Sequence, residues 1–172
     1  MRVNDVGARL RWVALSQEKV PGAWVRRLLL GLLLLLTYPV GAQVVFETSP
    51  LAIESASGTL SFEVELAVSP EQRRQGLMFR ERLDSDQGML FDFGRTAPVT
   101  MWMRNTFIPL DMLFIDADGR IARIVADTEP LSDAVIGSGG PVRAVLELPA
   151  GTSAERGIAV GDQVVHPIFA AP

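Results

Sequence analysis

Residues 59–68 read TLSFEVELAV. Leu60, Phe62, Val64, Leu66 and Val68 fall on one side of an extended chain, with Ser61, Glu63 and Glu65 on the other. A period of two marks a strand with one dry and one wet face, and it sets the fold class. Upstream, residues 51–55 are placed to pair back through a turn at Ser57-Gly58. Downstream, Ser69 can cap a helix, Pro70 suits its first position, and Gln72 completes a capping box. Gly76 is a stop, so this helix has about two turns.

Beyond a polar loop at 82–88, short apolar runs follow at 89–93 (MLFDF), 99–104 (VTMWMR) and 110–115 (LDMLFI), separated by Gly, Pro and Asn signals. Asp116-Ala117-Asp118-Gly119 turns the chain into a strand at 120–126. Residues 128–141 read as the longest loop, and 142–149 as another strand. Thr152 to Gly157 forms one helical turn, and a last strand spans 163–169. The expected fold is all-β: a compact antiparallel sandwich or barrel of about eight to nine short strands with one or two short helices.

The segment before this domain has a different composition. Residues 26–42, RRLLLGLLLLLTYPVGA, place Arg26 and Arg27 ahead of an apolar run and end it in small residues at Val40-Gly41-Ala42. That order is a secretory signal. An uncleaved membrane anchor is the alternative, but an apolar stretch of about 13 residues is short against the roughly 20 that a spanning helix needs. The expected organisation is a lead and signal segment over 1–42, a short extension over 43–58, and one β-rich domain over 59–172. Cleavage near Ala42 would leave that domain periplasmic or extracellular. No Cys is present, which removes disulfides, thiol catalysis, thiolate metal sites and attachment of lipid through cysteine.

From Gln43 onward there are ten Arg, no Lys and 18 Asp plus Glu, a net charge of −8. Such a surface repels phosphate backbones, so nucleic acid is not an expected partner.

The motifs GLMFR (76–80), GMLF (88–91), WMRNTFIPLDMLFID (102–116), VLELPAG (145–151) and GD (161–162) resemble the domain-of-unknown-function 192 family (DUF192). The resemblance covers roughly residues 60–169. It implies a compact β-sandwich, often exported, and implies no established activity, catalytic residue or ligand. Several relatives carry a Cys in the loop where this chain has Ser132 to Gly140, so no role for that Cys carries over.

Asp111 stands inside an apolar strand, on the face of Leu113 and Ile115. A lone buried carboxylate costs several kcal/mol unless it is paired or hydrogen-bonded. Asn105 and Thr106 are the expected donors, with Arg104 also near in sequence and Arg80 and Arg73 able to arrive from the helix. One reading is a structural network pinning this connection; the other is a polar patch that holds a ligand. Glu147 raises the same question in VLELP. Brought close to Asp111 it would give a carboxylate pair for glycoside chemistry; otherwise it lies on the wet face of an ordinary strand. Trp102 and Arg104, two residues apart, could stack on a planar ligand, or Trp102 could fill the core. Met101 and Met103, among five methionines between 78 and 112, suggest Cu(I) in an exported protein, although Met also fills core gaps. His166 is the sole His, which excludes sites needing several imidazoles. The DADG run at 116–119 lacks the later ligands of a calcium loop and reads as a hairpin turn.

The leading expectation is an exported, non-enzymatic module that binds a small ligand, a glycan or an envelope partner through Arg80, Trp102, Arg104, Asn105, Thr106 and Asp111. No cofactor is expected, the chain is expected to be monomeric, and a membrane enters only through an uncleaved signal segment. The alternatives are a glycan-active hydrolase using Asp111 and Glu147, and a Cu(I) protein using Met101 and Met103.

Overall fold

The computed structural model describes residues 44–170, so the expected lead and signal segment lies outside the described residues. Seven strands form one curled mixed sheet: β1 (Glu47–Ser55), β2 (Gly58–Ala67), β3 (Gln87–Met101), β4 (Leu110–Ile115), β5 (Ile121–Val125), β6 (Ile136–Pro149) and β7 (Gln163–Val165). Their order is β5-β4-β6-β3-β2-β1-β7. Two short helices complete the fold, α1 (Pro70–Gln75) and α2 (Thr152–Arg156), with a 3-10 turn at Pro167–Phe169. The all-β class is as expected, with fewer strands. Residues 47–55, most of the stretch set apart as an extension, form β1 and carry Leu51 and Ile53 into the core.

The lower count has a local cause. The runs at 89–93 and 99–104 belong largely to one strand, β3, broken by register shifts between Asp92 and Ala97 and between Pro98 and Thr100. Pro98 lies opposite Pro141 of β6. Neither ring nitrogen can donate to the ladder, so a bulge replaces regular pairing there. The same pairing extends β6 back to Ile136 and shortens the expected 128–141 loop.

One pair is parallel. β2 and β3 run together from Glu63↔Gln87 to Ala67↔Phe91, because the chain returns over α1 before re-entering the sheet. The other pairs are antiparallel. At the far edges the sheet curls until β7 meets the start of β5: Arg120 bridges Gln163, and Val164 N–H donates to Gly119 O at 2.8 Å.

Alternation divides the apolar side chains into two cores. The inner core draws on all seven strands, among them Ile53, Val64, Leu90, Leu113, Leu146 and Val164. The outer core lies on the other face of β3, β4 and β6, where Met89, Phe91, Met112, Phe114 and Val145 meet Leu77. Helix α1 covers part of it. Its capping box forms as the sequence indicates: Gln72 N–H donates to Ser69 Oγ, and Ser69 N–H donates to Gln72 Oε1. Gln72 Nε2 also donates to Val45 O at 2.8 Å, tying the start of the described chain to α1.

Gly88 of β3 stands tight against β6. A Cβ there would lie 2.7 Å from Glu147 O and 2.8 Å from Leu148 Cδ2. Gly88→Ala is expected to destabilise the fold by about 1 to 3 kcal/mol through overpacking, read as a lower denaturant midpoint at unchanged slope.

Candidate functional site

Two carboxyl side chains are buried in this sheet, and the register separates them. Asp111 pairs with Leu148 while Met112 pairs with Glu147. Side chains alternate along a strand, so Asp111 faces inward with Leu113 and Leu148, and Glu147 faces outward with Met89 and Met112. The structure does not bring the proposed carboxylate pair together on one face.

Asp111 is fully buried. Its donors differ from those expected: Asn105, Thr106 and the arginines do not reach it. Instead Oδ1 accepts from Asp127 N–H at 3.0 Å and Gly151 N–H at 3.2 Å, and Oδ2 accepts from Ser153 N–H at 2.8 Å. Helix α2 begins at Gly151, which has no side chain to cap it. Asp111 satisfies otherwise free amides of that first turn from across the fold. Its role is structural, and it does not join the expected ligand patch.

Glu147 is only 4 % exposed. No hydrogen bond to its carboxyl group forms among the described residues. Burial alone pushes its pKa from an ordinary 4.5 up to about 8. It stands at the floor of a pocket of about 130 Å³ between α1, β3 and the 102–106 loop. Leu77, Phe91, Phe93 and Met101 line the walls, Thr100 and Thr106 add hydroxyls, and Arg73 and Arg74 stand on the α1 side.

The rim is held by backbone bonds between loops. Phe79 N–H donates to Asn105 O at 2.8 Å, Leu131 N–H to Thr106 O at 3.0 Å, and Met103 N–H to Ser132 O at 3.1 Å. Phe79, Asn105 and Leu131 adopt left-handed backbone with φ of 65°, 57° and 62°. Such conformations cost roughly 1 to 3 kcal/mol each in non-glycine residues and persist where surrounding contacts impose them.

Of the six ligand residues expected from sequence, Trp102 and Thr106 reach this pocket. Trp102 is exposed rather than buried in the core, and the Arg104 guanidinium lies 4.5 Å from its ring centre. Arg104 also pairs with Asp133 at 2.6 Å. Arg80 is engaged with Glu65 at 2.8 Å. The Asn105 side chain makes a long contact, from Nδ2 to Met78 Sδ at 3.9 Å. Met101 lines the pocket, but Met103 is buried and its sulfur accepts from the Thr128 hydroxyl at 3.1 Å. The two thioethers are therefore in different surroundings. His166 is nearly buried: Nδ1 accepts from Ile168 N–H, which leaves Nε2 to donate to Ser49 Oγ at 3.0 Å. Burial lowers its pKa. The DADG segment is the hairpin turn expected, with Asp116 Oδ1 accepting from Asp118 and Arg120 N–H.

Sequence reasoning missed Arg74, Phe91 and Phe93 as pocket residues, and assigned Arg73 to Asp111. The alternation of Phe91 and Phe93 was a usable signal. Their place opposite α1 depends on the parallel β2–β3 return.

Comparison with known proteins agrees with this architecture. The DUF192 family model, described as an uncharacterized ACR, matches residues 52–166. A solved structure from Sinorhizobium meliloti 1021, described as a "putative transcription regulator", is 50% identical with a TM-score of 0.70, the match covering 72% of this chain and 97% of that one. A protein of unknown function from Novosphingobium aromaticivorans DSM 12444 is 36% identical with a TM-score of 0.69, covering 75% and 90%. No curated protein matches the chain.

Two measurements test these assignments. Asp111→Ala strips the acceptor from three amides and is expected to lower stability by about 2 to 4 kcal/mol; an unchanged thermal melt would refute the clasp. Glu147 gives a pH signature. Below pH 4.5 it is protonated whether the chain is folded or unfolded. Between there and about 8 the unfolded chain releases the proton while the folded chain keeps it. Stability therefore falls as pH rises through that window, by an amount on the order of a few kcal/mol. Denaturation curves of the wild type and Glu147→Gln should diverge across it, with the variant flatter.

Proposed function

This chain belongs to the DUF192 family, and we propose that it is an exported, non-enzymatic module that holds a small ligand in the pocket above Glu147. The observation that carries this reading is the Glu147 carboxyl group. The Glu147 side chain is almost wholly withdrawn from solvent, and it lines a concave space with apolar walls and two hydroxyls. That combination suits a small molecule whose body packs on the walls while one polar group meets the floor. A hydrolase using Asp111 and Glu147 lacks support, since the two lie on opposite faces of the sheet. A Cu(I) site using Met101 and Met103 is disfavoured because Met101 lines the pocket while Met103 is buried in the core away from it. Regulation of transcription is named for the Sinorhizobium meliloti protein; here the net charge of −8 from Gln43 onward opposes contact with a phosphate backbone. The export part of the proposal rests on RRLLLGLLLLLTYPVGA at 26–42.

The test is a ligand-observed NMR screen of small molecules against the wild type and Thr100→Trp. Thr100 is an exposed strand residue at the pocket, where an aromatic is tolerated and fills the space. Binding by the wild type and its loss in the filled variant are expected. Binding that survives the substitution would place the ligand elsewhere and defeat the proposal. Export is checked separately: the full chain, expressed in a bacterial host, should appear outside the cytoplasm cut near Ala42.

A further inference from the structure

Charge around the pocket is distributed against the trend of the chain. The residues from Gln43 onward carry −8, yet the charged groups lining this pocket are Arg73, Arg74 and Glu147. Arg74 is exposed and has no ion pair or hydrogen bond among the described residues. The salt bridges there are Arg80–Glu65, Arg104–Asp133 and Arg143–Asp92. Arg73 donates to the backbone carbonyls of Val68 and Asp92. The nearby Asp92 carboxyl group is already held by both Nε and Nη2 of Arg143, at 2.8 and 3.1 Å.

The aromatic faces are also committed. The Arg73 guanidinium sits 5.6 Å from the Phe93 ring centre, and Arg104 covers Trp102 at 4.5 Å. A cationic ligand would find these two rings already covered by cations and two arginines opposing it. An anion meets the reverse: an unpaired guanidinium at the mouth and a carboxylic acid at the floor, able to donate an O–H to an oxygen.

We propose that the ligand of this pocket is a small organic acid, an apolar body of about one ring bearing a carboxylate held between Arg74 and Glu147. This rests on the ligand-binding reading above and adds the chemical class. The volume of about 130 Å³ sets the size. The walls of Leu77, Phe91 and Met101 receive the body. Binding needs the Glu147 proton, because a second carboxylate beside an ionised one would be repelled. Affinity should therefore decline as pH rises toward and past the Glu147 pKa of about 8.

Isothermal titration of the full chain with benzoate, benzamide and benzylamine tests this, since the three share a ring and differ in charge. At about pH 6 benzoate should bind at least about tenfold more tightly than the other two, as expected of one added charge-assisted contact. Arg74→Gln should erase most of that preference. Raising the pH to about 9 should weaken benzoate binding to the wild type, whereas Glu147→Gln, which keeps a neutral donor, should flatten that dependence. Benzylamine or benzamide binding as tightly as benzoate would overturn the assignment while leaving the pocket a ligand site. Benzoate binding indifferent to both Arg74→Gln and pH would also overturn it. If none of the three binds but the NMR screen finds molecules lost in Thr100→Trp, the ligand class is wrong and the pocket reading stands. If both experiments are empty, both readings fall.

Discussion

The three hydrogen bonds that backbone amides donate to the Asp111 carboxyl group hold together parts of the chain outside the paired strands. β4 begins there, the turn at Asp127 leaves β5 there, and the segment from Gly151 into α2 begins immediately after β6. One side chain supplies acceptors to all three, inside a core that excludes water. A buried acceptor fully supplied with donors is stable and specifies one arrangement, whereas its loss strands several donors at once. The clasp sits at the end of the β4–β6 ladder, whose register presents Glu147 to the opposite face.

The two buried acids thus have contrasting fates on adjacent strands. Asp111 accepts from three backbone amides and is sealed inside the core, out of reach of a ligand. Glu147 has no hydrogen-bond partner among the described residues, and burial favours its neutral form, raising its pKa to about 8. Perturbed ionisation at a concave site is a physical pointer to function, and here it coincides with an uncompensated arginine across the pocket. The site arises because α1, short and well capped, lies over the outer face of the sheet without sealing it.

Much of this was legible in the residues. The alternation of TLSFEVELAV placed Phe62 and Val64 in the core. Ser69 and Gln72 announced the capping box, and the WMRNTFIPLDMLFID run pointed to the family. The need to compensate Asp111 was also readable. The identity of its donors was not, because Gly151 and Ser153 lie 40 and 42 residues away and are joined through register. Register is likewise what parts Glu147 from Asp111. Trp102 was weighed as core on its size, but its strand ends at Met101, and the loop that follows turns the ring outward against Arg104. The bulge opposite Pro141 turned two apparent strands into one.

The pairing of β7 with β1 joins the two ends of the domain. Such a contact spans more than a hundred residues, and its closure entropy must be met before the pairing returns any stability. A ribosome delivers β1 more than a hundred residues before β7, so the growing chain carries that edge of β1 bare in the interval. The sheet has no stage at which an N-terminal fragment already possesses its final border. That border of the sheet is consequently among the last to close, because Ala52 to Glu54 of β1 find their partners only once Gln163 to Val165 exist.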